Sequence, residues 1–281
     1  MATRDRRPSL LATLERLTAL PERPPVVVVD NGSSDGTADA VRAAFPAVGV
    51  LEPGRNLGAA ARAVGARELE TDLIAFCDDD SWWAPGALAL AERRFDEHPR
   101  LALLAARILV GDDERLDPTC AEMAASPLGR VEGVGPRVLG FVACGAVVRR
   151  APFLRAGGFH PRLQVYGEET LLAVDLASAG WELAYADDVV AHHHPSAGHP
   201  RPGRRVTELR NRLWSAWLRR PAMRALEATG AIVAQGASDP DARRALAAAV
   251  RGSRWVARER RVVPKGVEAA VRRLEALDGA G

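Results

Sequence analysis

Short apolar runs alternate with amphipathic helical patterns along the first part of this chain. Val26–Val29 and Leu73–Cys77 are apolar throughout, which is typical of strands that lie in a parallel sheet and are covered on both faces. Between them, Thr37–Phe45 and Leu57–Glu70 have the spacing of helices. This alternation predicts an α/β domain built on a parallel or mixed sheet.

The pattern changes near residue 200, where helical patterns follow one another in a segment with more arginines than acidic residues. We therefore predict an α/β domain over residues 1–200 and an arginine-rich helical extension over residues 201–281. The helical patterns of the extension are Val206–Leu218, Ala222–Gln235, Asp241–Val250 and Val267–Leu277.

Charge and cysteine content narrow the class of protein. The 281 residues carry a formal net charge of +2, which does not indicate a nucleic-acid-binding protein. Cys77, Cys120 and Cys144 form no CxxC or zinc-ligand pattern, so we expect reduced thiols and a cytoplasmic protein. No apolar run reaches the roughly 18 residues of a membrane-spanning helix.

An acidic triplet, Asp78–Asp80, directly follows the apolar run Leu73–Cys77. Open α/β sheets bind ligands at the carboxyl ends of their strands, and carboxylates there are costly unless a cation or polar ligand meets them. In an extended backbone Asp78 and Asp80 point the same way, as oxygen ligands of a divalent cation can. Trp82 and Trp83 suit the lining of a cleft; the alternative is an exposed turn.

Three further motifs each allow two interpretations. Val26–Thr37 reads as strand, polar turn and helix, and it either binds a nucleoside or is an ordinary capped turn. Glu168 and Glu169 open a predicted helix, where acids are common, but one of them could act as a general base. In His192–His194, alternation along a strand turns His193 away from its neighbours, so that one imidazole could ligate a metal; the alternative is a polar loop with incidental histidines.

Taken in order, these motifs resemble the family 2 glycosyltransferases, which have the GT-A fold, a Rossmann-type mixed sheet flanked by helices. The resemblance covers about residues 2–197 and continues the fold prediction with a helical C-terminal extension. The motifs that carry it are Val26–Thr37, Arg55–Gly58 with Arg62, Phe76–Trp82, Gly157–Phe159, Gly167–Glu169 and His192–His194.

The resemblance implies transfer of a sugar from a nucleotide-diphosphate sugar to an acceptor hydroxyl, with inversion at the anomeric carbon. It implies a glycan or lipid-linked acceptor, in polysaccharide or glycoconjugate assembly, and a Mg²⁺ or Mn²⁺ ion on the donor diphosphate. The residues that would bind the nucleotide sugar are Thr3, Asp30, Asn31, Asn56, Arg62, Asp78 and Asp79.

The resemblance also implies the remaining roles. Asp80 would ligate the metal, with His193 or His194 beside it. Glu169 would be the catalytic base, with Glu168 as its acidic neighbour. Trp82 and Trp83 would lie on the acceptor side, and the Gly111–Pro136 loop and the extension would select the acceptor. The arginines after residue 197 could also bring the extension into peripheral contact with a membrane.

This sequence departs from the family pattern at four places. Glu169 stands where the family usually has aspartate, Leu171 where a second acid is common, and Ala63 where asparagine often follows the arginine. Met1 directly precedes Ala2–Arg4, so the first strand of the fold is expected to be missing. Such a loss would expose the edges of two neighbouring strands.

Three rival functions can be compared with this one. A degenerate transferase could hold a nucleotide sugar or a partner without chemistry, and Glu169, Leu171 and the missing strand favour it modestly. A nucleotidyltransferase would need a glycine-rich loop followed by Arg and Lys near the N-terminus, but the only lysine is Lys265. A nuclease that uses the acidic triplet lacks the signal of a basic groove.

Overall fold

The structure is a computed structural model, and it describes residues 1–195 and 203–278. The strands are β1 (Ala2–Thr3), β2 (Val27–Asp30), β3 (Gly49–Leu51), β4 (Leu73–Ala75), β5 (Ser81–Trp83), β6 (Leu101–Val110), β7 (Arg115–Leu116), β8 (Arg130–Val131), β9 (Gly135–Pro136), β10 (Ala146–Arg149) and β11 (Glu182–His193). The helices are α1 (Arg7–Thr18), α2 (Thr37–Ala44), α3 (Ala61–Glu68), α4 (Ala87–Glu97), α5 (Pro118–Ala124), α6 (Arg150–Arg155), α7 (Glu168–Ser178), α8 (Arg204–Arg219), α9 (Ala222–Gln235), α10 (Pro240–Arg251), α11 (Ser253–Glu259) and α12 (Lys265–Asp278).

The strands form two main sheets, and the larger one is mixed. In the smaller sheet β1, β2 and β3 run parallel in that order. In the larger sheet the order is β4-β10-β6-β11-β5, with β7 paired to β6. There β11 is parallel to β6, whereas β10 is antiparallel to both of its neighbours. The structure thus confirms the predicted α/β class with a mixed sheet.

The smaller sheet begins with a very short strand where the sequence predicted that a strand is missing. Only Ala2 and Thr3 form β1, and their partners on β2 are Val29 and Asp30. The Met1 ammonium group donates to the Val27 carbonyl oxygen (2.8 Å), and burial lowers the pKa of that group. An apolar groove of about 410 Å³ lies alongside, between the start of β2 and β4.

Some elements differ from the sequence prediction because tertiary contacts decide them. The residues Arg137–Arg149 have the composition of a single strand, but only Ala146–Arg149 is β10, preceded by a 3-10 turn over Ala143–Gly145. At Gly145 a Cβ atom would lie 2.6 Å from the Ile108 side chain, so the backbone packs against β6 before it can pair. The Gly111–Pro136 segment contains α5, whose first turn is capped by the Asp117 carboxylate.

The C-terminal helices pack on the α/β domain through an apolar cluster and an ion pair. Trp214 and Leu218 of α8 and Trp255 of α11 contact Leu163 and Leu171, which flank the start of α7. Helix α8 also donates to α7 through the Arg219 guanidinium, which contacts both oxygens of Asp175. The predicted domain boundary at residues 200 and 201 lies outside the described residues. None of the described helices combines the length and apolar content needed to span a bilayer.

Candidate active site

The acidic triplet lies in a tight turn between β4 and β5. The Ser81 hydroxyl accepts a hydrogen bond from the backbone N–H of Asp78 (2.7 Å), which closes the turn. Each of the three carboxylates contacts at least one basic side chain, and Asp79 and Asp80 share Arg6. Asp78 meets the Arg62 guanidinium, Asp79 meets Thr3 and Arg6, and Asp80 meets Arg6 and His193. The exposed-turn alternative does not fit Asp79 and Asp80, whose side chains are 13% exposed, whereas the Asp78 side chain is 34% exposed.

Asp79 joins this turn to the N-terminal segment. Asp79 is 9% exposed, and its carboxylate accepts a hydrogen bond from the Thr3 hydroxyl (2.8 Å). Burial removes water from this carboxyl group and raises its pKa to about 6. The backbone carbonyl of Asp79 accepts from the hydroxyls of Ser9 and Thr13 on α1. Asp79 thus anchors α1 to the end of β4, while its role in nucleotide-sugar binding stays a prediction.

Asp80 and His193 face each other across the β5–β11 pair. His193 lies opposite Ser81 in that antiparallel ladder, and its Nε2 is 3.5 Å from Asp80 Oδ1. A hydrogen bond to Asp80 raises the pKa of His193. On the other face of the strand, the His194 ring lies 4.7 Å from the Trp82 ring and its Nδ1 is 3.3 Å from Asp112. Of the two histidines predicted to lie beside the metal ligand Asp80, only His193 has its side chain directed at the Asp80 carboxylate.

The donor atoms at Asp80 fit a hard divalent cation that is shared with a substrate. Within residues 1–195 and 203–278, no group of three or more His, Cys, Asp or Glu side chains is arranged to hold a metal ion. One carboxylate and one imidazole are nevertheless ligands that Mn²⁺ accepts, and Mg²⁺ is usually held by one or two carboxylates together with substrate phosphates. Asp80 and His193 are therefore suited to a cation that the donor helps to bind.

Arg62 places a buried positive charge beside the triplet. Its side chain is 11% exposed, donates to Asp78 and lies over the Phe159 ring, 5.6 Å from the ring centroid. The Arg62 Nε is buried and has no hydrogen-bond partner among the described residues. A buried guanidinium with an unused N–H is suited to meet an anionic group such as a phosphate.

Glu168 and Glu169 open α7 next to this arginine. The Glu169 Oε1 accepts a hydrogen bond from the backbone N–H of Ala143 (3.1 Å), and burial raises the pKa of its carboxyl group. Glu168 is 5% exposed, and its Oε2 has no hydrogen-bond partner among the described residues. Burial and the neighbouring Glu169 raise the pKa of Glu168 to about 7. The pair can therefore hold or release a proton near neutral pH.

Replacing Glu168 with glutamine should stabilise the fold at neutral pH. The carboxyl group loses its proton near pH 4.5 in the unfolded chain but only near 7 in the folded one. Between pH 4.5 and about 7 the folded state binds more protons at Glu168 than the unfolded state does. The free energy of unfolding of the wild type therefore falls as the pH rises through this range, and it levels off above about pH 7. Urea unfolding at about pH 8 should show Glu168→Gln more stable by on the order of 1–3 kcal/mol, with the difference vanishing at about pH 4. A difference independent of pH would contradict this.

The loop that leads into Glu168 is held by Asn211, which sequence reasoning missed. Gln164 and Tyr166 both adopt left-handed backbone conformations (φ +61° and +73°), which cost energy for residues with side chains. The Asn211 amide nitrogen, on α8, donates to the backbone carbonyls of Leu163 (2.9 Å), Val165 (3.0 Å) and Tyr166 (2.8 Å). One buried side chain of the extension thus fixes the approach to the candidate base.

Replacing Asn211 with alanine should lower the free energy of unfolding by about 1–3 kcal/mol, because buried carbonyls would lose their donor. The matched control is Gln235→Ala, an exposed position on α9, which should change stability by no more than about 0.5 kcal/mol. Urea unfolding of both variants measures the difference. Equal stabilities would mean that the loop keeps its conformation without the amide.

The residues predicted to hold the nucleoside shape two adjoining turns. Asp30 Oδ1 accepts from the backbone N–H of Ser33 (2.7 Å), and Asn56 Oδ1 accepts from that of Gly58 (2.8 Å). The Asn31 amide accepts from Leu57 N–H (3.0 Å) and donates to the Gly58 carbonyl (3.2 Å). Because Asn31 N–H also donates to the Thr3 carbonyl (2.8 Å), these turns meet at the ends of β1 and β2. Nucleoside binding by them stays a prediction.

Trp83 is not on the acceptor side, contrary to the sequence prediction. Successive side chains of a strand point to opposite faces, so β5 turns Trp82 and Trp83 in opposite directions. Trp83 is 1% exposed and belongs to the main apolar core. Trp82 is half-buried, with the Arg16 guanidinium 3.7 Å above its ring and the His192 ring stacked at 5.5 Å. Arg6 and Arg16, which the sequence analysis did not single out, both border this site.

Comparisons with known proteins agree with this architecture. The model of Glycosyl transferase family 2 matches residues 1–155. The chain is 27% identical over 222 residues to N-acetylglucosaminyl-diphospho-decaprenol L-rhamnosyltransferase of Mycobacterium tuberculosis, covering 66% of this chain and 72% of that protein.

Two solved structures share the fold at low sequence identity. Mannosyltransferase PcManGT from Pyrobaculum calidifontis, in complex with GDP-Man and Mn²⁺, has a TM-score of 0.57 at 19% identity, covering 98% of this chain and 84% of that one. S. aureus TarS 1-349 in complex with UDP-GlcNAc has a TM-score of 0.60 at 17% identity, covering 76% and 64%. Since the family model covers more than half of the 281 residues, the chain belongs to glycosyl transferase family 2 and is a glycosyltransferase with the GT-A fold.

Proposed function

We propose that this protein transfers a sugar from a nucleotide-diphosphate sugar to a hydroxyl of a lipid-linked acceptor, with metal dependence and inversion at the anomeric carbon. The observation that carries the proposal is the pair Glu168 and Glu169, which shares its surroundings with the Asp78–Arg62 ion pair. A proton acceptor and a buried cation beside the same strand end are what glycosyl transfer requires.

In this proposal Glu169 is the base. Its carboxylate takes the proton of the acceptor hydroxyl as the hydroxyl oxygen attacks the anomeric carbon from the face opposite the diphosphate. The bond between the anomeric carbon and the diphosphate oxygen breaks, and the diphosphate leaves with the electron pair. The configuration therefore inverts. Burial and the neighbouring Glu169 raise the pKa of Glu168 to about 7, so below neutral pH the pair holds a proton and the two carboxyl groups are not both charged.

Positive charge meets the departing diphosphate. Arg62 has a buried N–H that no described residue uses. Asp80 and His193 would hold a Mg²⁺ or Mn²⁺ ion, which supplies Lewis-acid stabilisation of the leaving diphosphate when bound. The Mn²⁺ in the complex of the Pyrobaculum mannosyltransferase supports this choice of ion. Thr3, Asp30, Asn31 and Asn56 form the proposed nucleoside side of the site.

The acceptor class comes from the mycobacterial relative, whose name specifies a sugar attached through a diphosphate to decaprenol. We therefore propose an N-acetylglucosaminyl or related sugar on a polyprenyl diphosphate as acceptor, and a deoxyhexose such as L-rhamnose as the first donor sugar to test. An acceptor of this kind lies in a membrane, so the proposal places the protein at its cytoplasmic face.

A panel of UDP-, dTDP- and GDP-sugars, each with and without Mn²⁺ and with a lipid-linked acceptor, tests the proposal. We expect one donor to raise the Tm only with the metal and to give a product with inverted linkage. Donor binding without any transfer or hydrolysis would favour the alternative, a degenerate nucleotide-sugar-binding module. No binding of any donor would contradict both functions.

A further inference from the structure

A large groove lies beside the candidate base, between the α/β domain and the C-terminal helices. It has a volume of about 910 Å³, and its walls come from α5, the segment 138–141, α7, α8, α9 and α12. Such a volume is at the upper end of the range in which pockets take ligands of a few hundred daltons. Thr170, the residue after Glu169, lines the groove, so one of its walls is the helix that carries the candidate base.

One side of the groove is apolar. Leu139 and Phe141 line it from the segment that leads to Ala143, whose N–H contacts Glu169. Val174 lines it from α7, and Leu274 and Leu277 from α12. Leu277 is 53% exposed, a large apolar side chain that faces water unless a ligand covers it. Leu139, Phe141 and Val174 are already buried, at 5–8% exposed, so an elongated apolar ligand would gain free energy mainly by covering Leu277.

The other feature is a cation that no acidic residue neutralises. Arg212 of α8 is exposed and lines the groove, and within the described part of the chain it makes no ion pair or hydrogen bond. Ser215, one helical turn further along α8, also lines the groove, and its hydroxyl is buried without a described hydrogen-bond partner. An unpaired guanidinium and an unused hydroxyl on one helix face are suited to an anionic head group.

Contacts of α8 show where Arg212 lies relative to the start of α7, which carries Glu169. The preceding residue, Asn211, bonds the Tyr166 carbonyl oxygen (2.8 Å), two residues before Glu168. Arg212 therefore lies close to the start of α7, and the apolar wall continues from there along α7 and α12. A ligand with a sugar, then a diphosphate and then an apolar chain matches this order.

The outer face of α9 is suited to contact the membrane in which a lipid-linked ligand would lie. Met223, Leu226 and Val233 are 66%, 53% and 56% exposed and recur at helical spacing on one side of α9. Arg224 and Ala231 of the same helix line the groove. An exposed apolar stripe with an arginine beside it, here Arg224, is typical of a helix that rests on a membrane surface.

We propose that this groove binds the polyprenyl diphosphate part of the acceptor, with the diphosphate at Arg212 and the lipid chain along α7, α9 and α12. The assignment rests on the function proposed above, because that function supplies the acceptor class. It assigns the lipid to the C-terminal helices and leaves the nucleotide sugar at the end of β4.

Binding measured without a donor tests the groove independently of catalysis. The probes are inorganic diphosphate, geranyl diphosphate and a long-chain polyprenyl diphosphate in detergent micelles. Affinity should rise with chain length, and excess nucleoside diphosphate should not displace the long-chain probe. Arg212→Ala should weaken binding of both prenyl probes by about tenfold, since a hydrogen-bonded charge is lost. The matched control is Arg254→Ala, at an exposed arginine outside the groove.

A second pair of variants tests the apolar wall. Ala231→Glu places a charge in the groove and should weaken the long-chain probe by about tenfold, with much less effect on inorganic diphosphate. Ala234→Glu, exposed on the same helix but outside the groove, should behave as wild type. Equal affinity for all chain lengths, or wild-type binding by Arg212→Ala and Ala231→Glu, would overturn the assignment.

The outcomes separate the two proposals. If the long-chain probe binds and the groove variants weaken it, but no donor sugar is transferred, the proposed reaction is wrong and the groove assignment stands. If transfer to a lipid-linked acceptor proceeds with unchanged acceptor KM in both groove variants, the groove assignment is wrong and the reaction stands.

Discussion

Replacing Glu169 with glutamine should lower kcat by about 10²–10⁴-fold while leaving donor affinity nearly unchanged. A positioned general base contributes a factor of this size, and glutamine keeps the shape of the side chain but cannot accept the proton. The Ala143 N–H can still donate to the glutamine amide oxygen, so the start of α7 should keep its geometry. Steady-state kinetics with the donor identified by the panel, together with a binding titration, measures both quantities.

Glu168→Gln is the matched control for this experiment. It removes an adjacent carboxyl group with a raised pKa but leaves Glu169 in place. We expect a smaller loss of kcat and a shift in the acid limb of the pH profile, because Glu169 loses the neighbour that competes for a proton. A variant Glu169→Gln that turns over normally, with Glu168→Gln inactive, would transfer the role of base to Glu168.

The fold could be predicted from the sequence wherever the apolar residues of one helix or strand formed a clear pattern. The apolar runs over Val26–Val29 and Leu73–Cys77 became β2 and β4, and the pattern over Ala222–Gln235 is α9 to the residue. Prediction failed where partners far along the chain decide the structure. β5 is strand only because Ser81–Trp83 pairs with Ala191–His193 of β11, a contact that no local pattern contains.

The site residues likewise fall into those that a local pattern predicts and those that depend on contacts far along the chain. Alternation correctly separated His193 from its neighbours, because it depends only on the geometry of an extended chain. The same rule would have directed Trp83 into the core had β5 been recognised. Arg6 and Asn211 gave no local signal. Arg6 meets Asp80 across 74 residues, and Asn211 meets the loop before Glu168 across more than 40, so their roles exist only in the folded chain.

Replacing Asp80 with asparagine should abolish metal-dependent donor binding and lower turnover by at least about a hundredfold. The variant keeps the volume of the side chain but removes the negative charge that attracts a divalent cation, a contribution of several kcal/mol to stabilising the leaving group. Arg6 keeps Asp79 as a partner, with its Nε 3.3 Å from Asp79 Oδ1, so we expect the turn between β4 and β5 to survive. A thermal-shift titration of the donor with and without Mn²⁺ measures the effect.

Asp79→Asn separates a metal role from a structural one. Its carboxylate is buried against Thr3 and Arg6 and has a pKa raised to about 6, so the neutral amide removes a charge that burial already disfavours. The Mn²⁺-dependent shift in Tm should therefore survive in Asp79→Asn and disappear in Asp80→Asn. If both variants kept it, the cation would be held by the donor alone; if both lost it, the triplet would act as one unit and the assignment of the metal to Asp80 would fail.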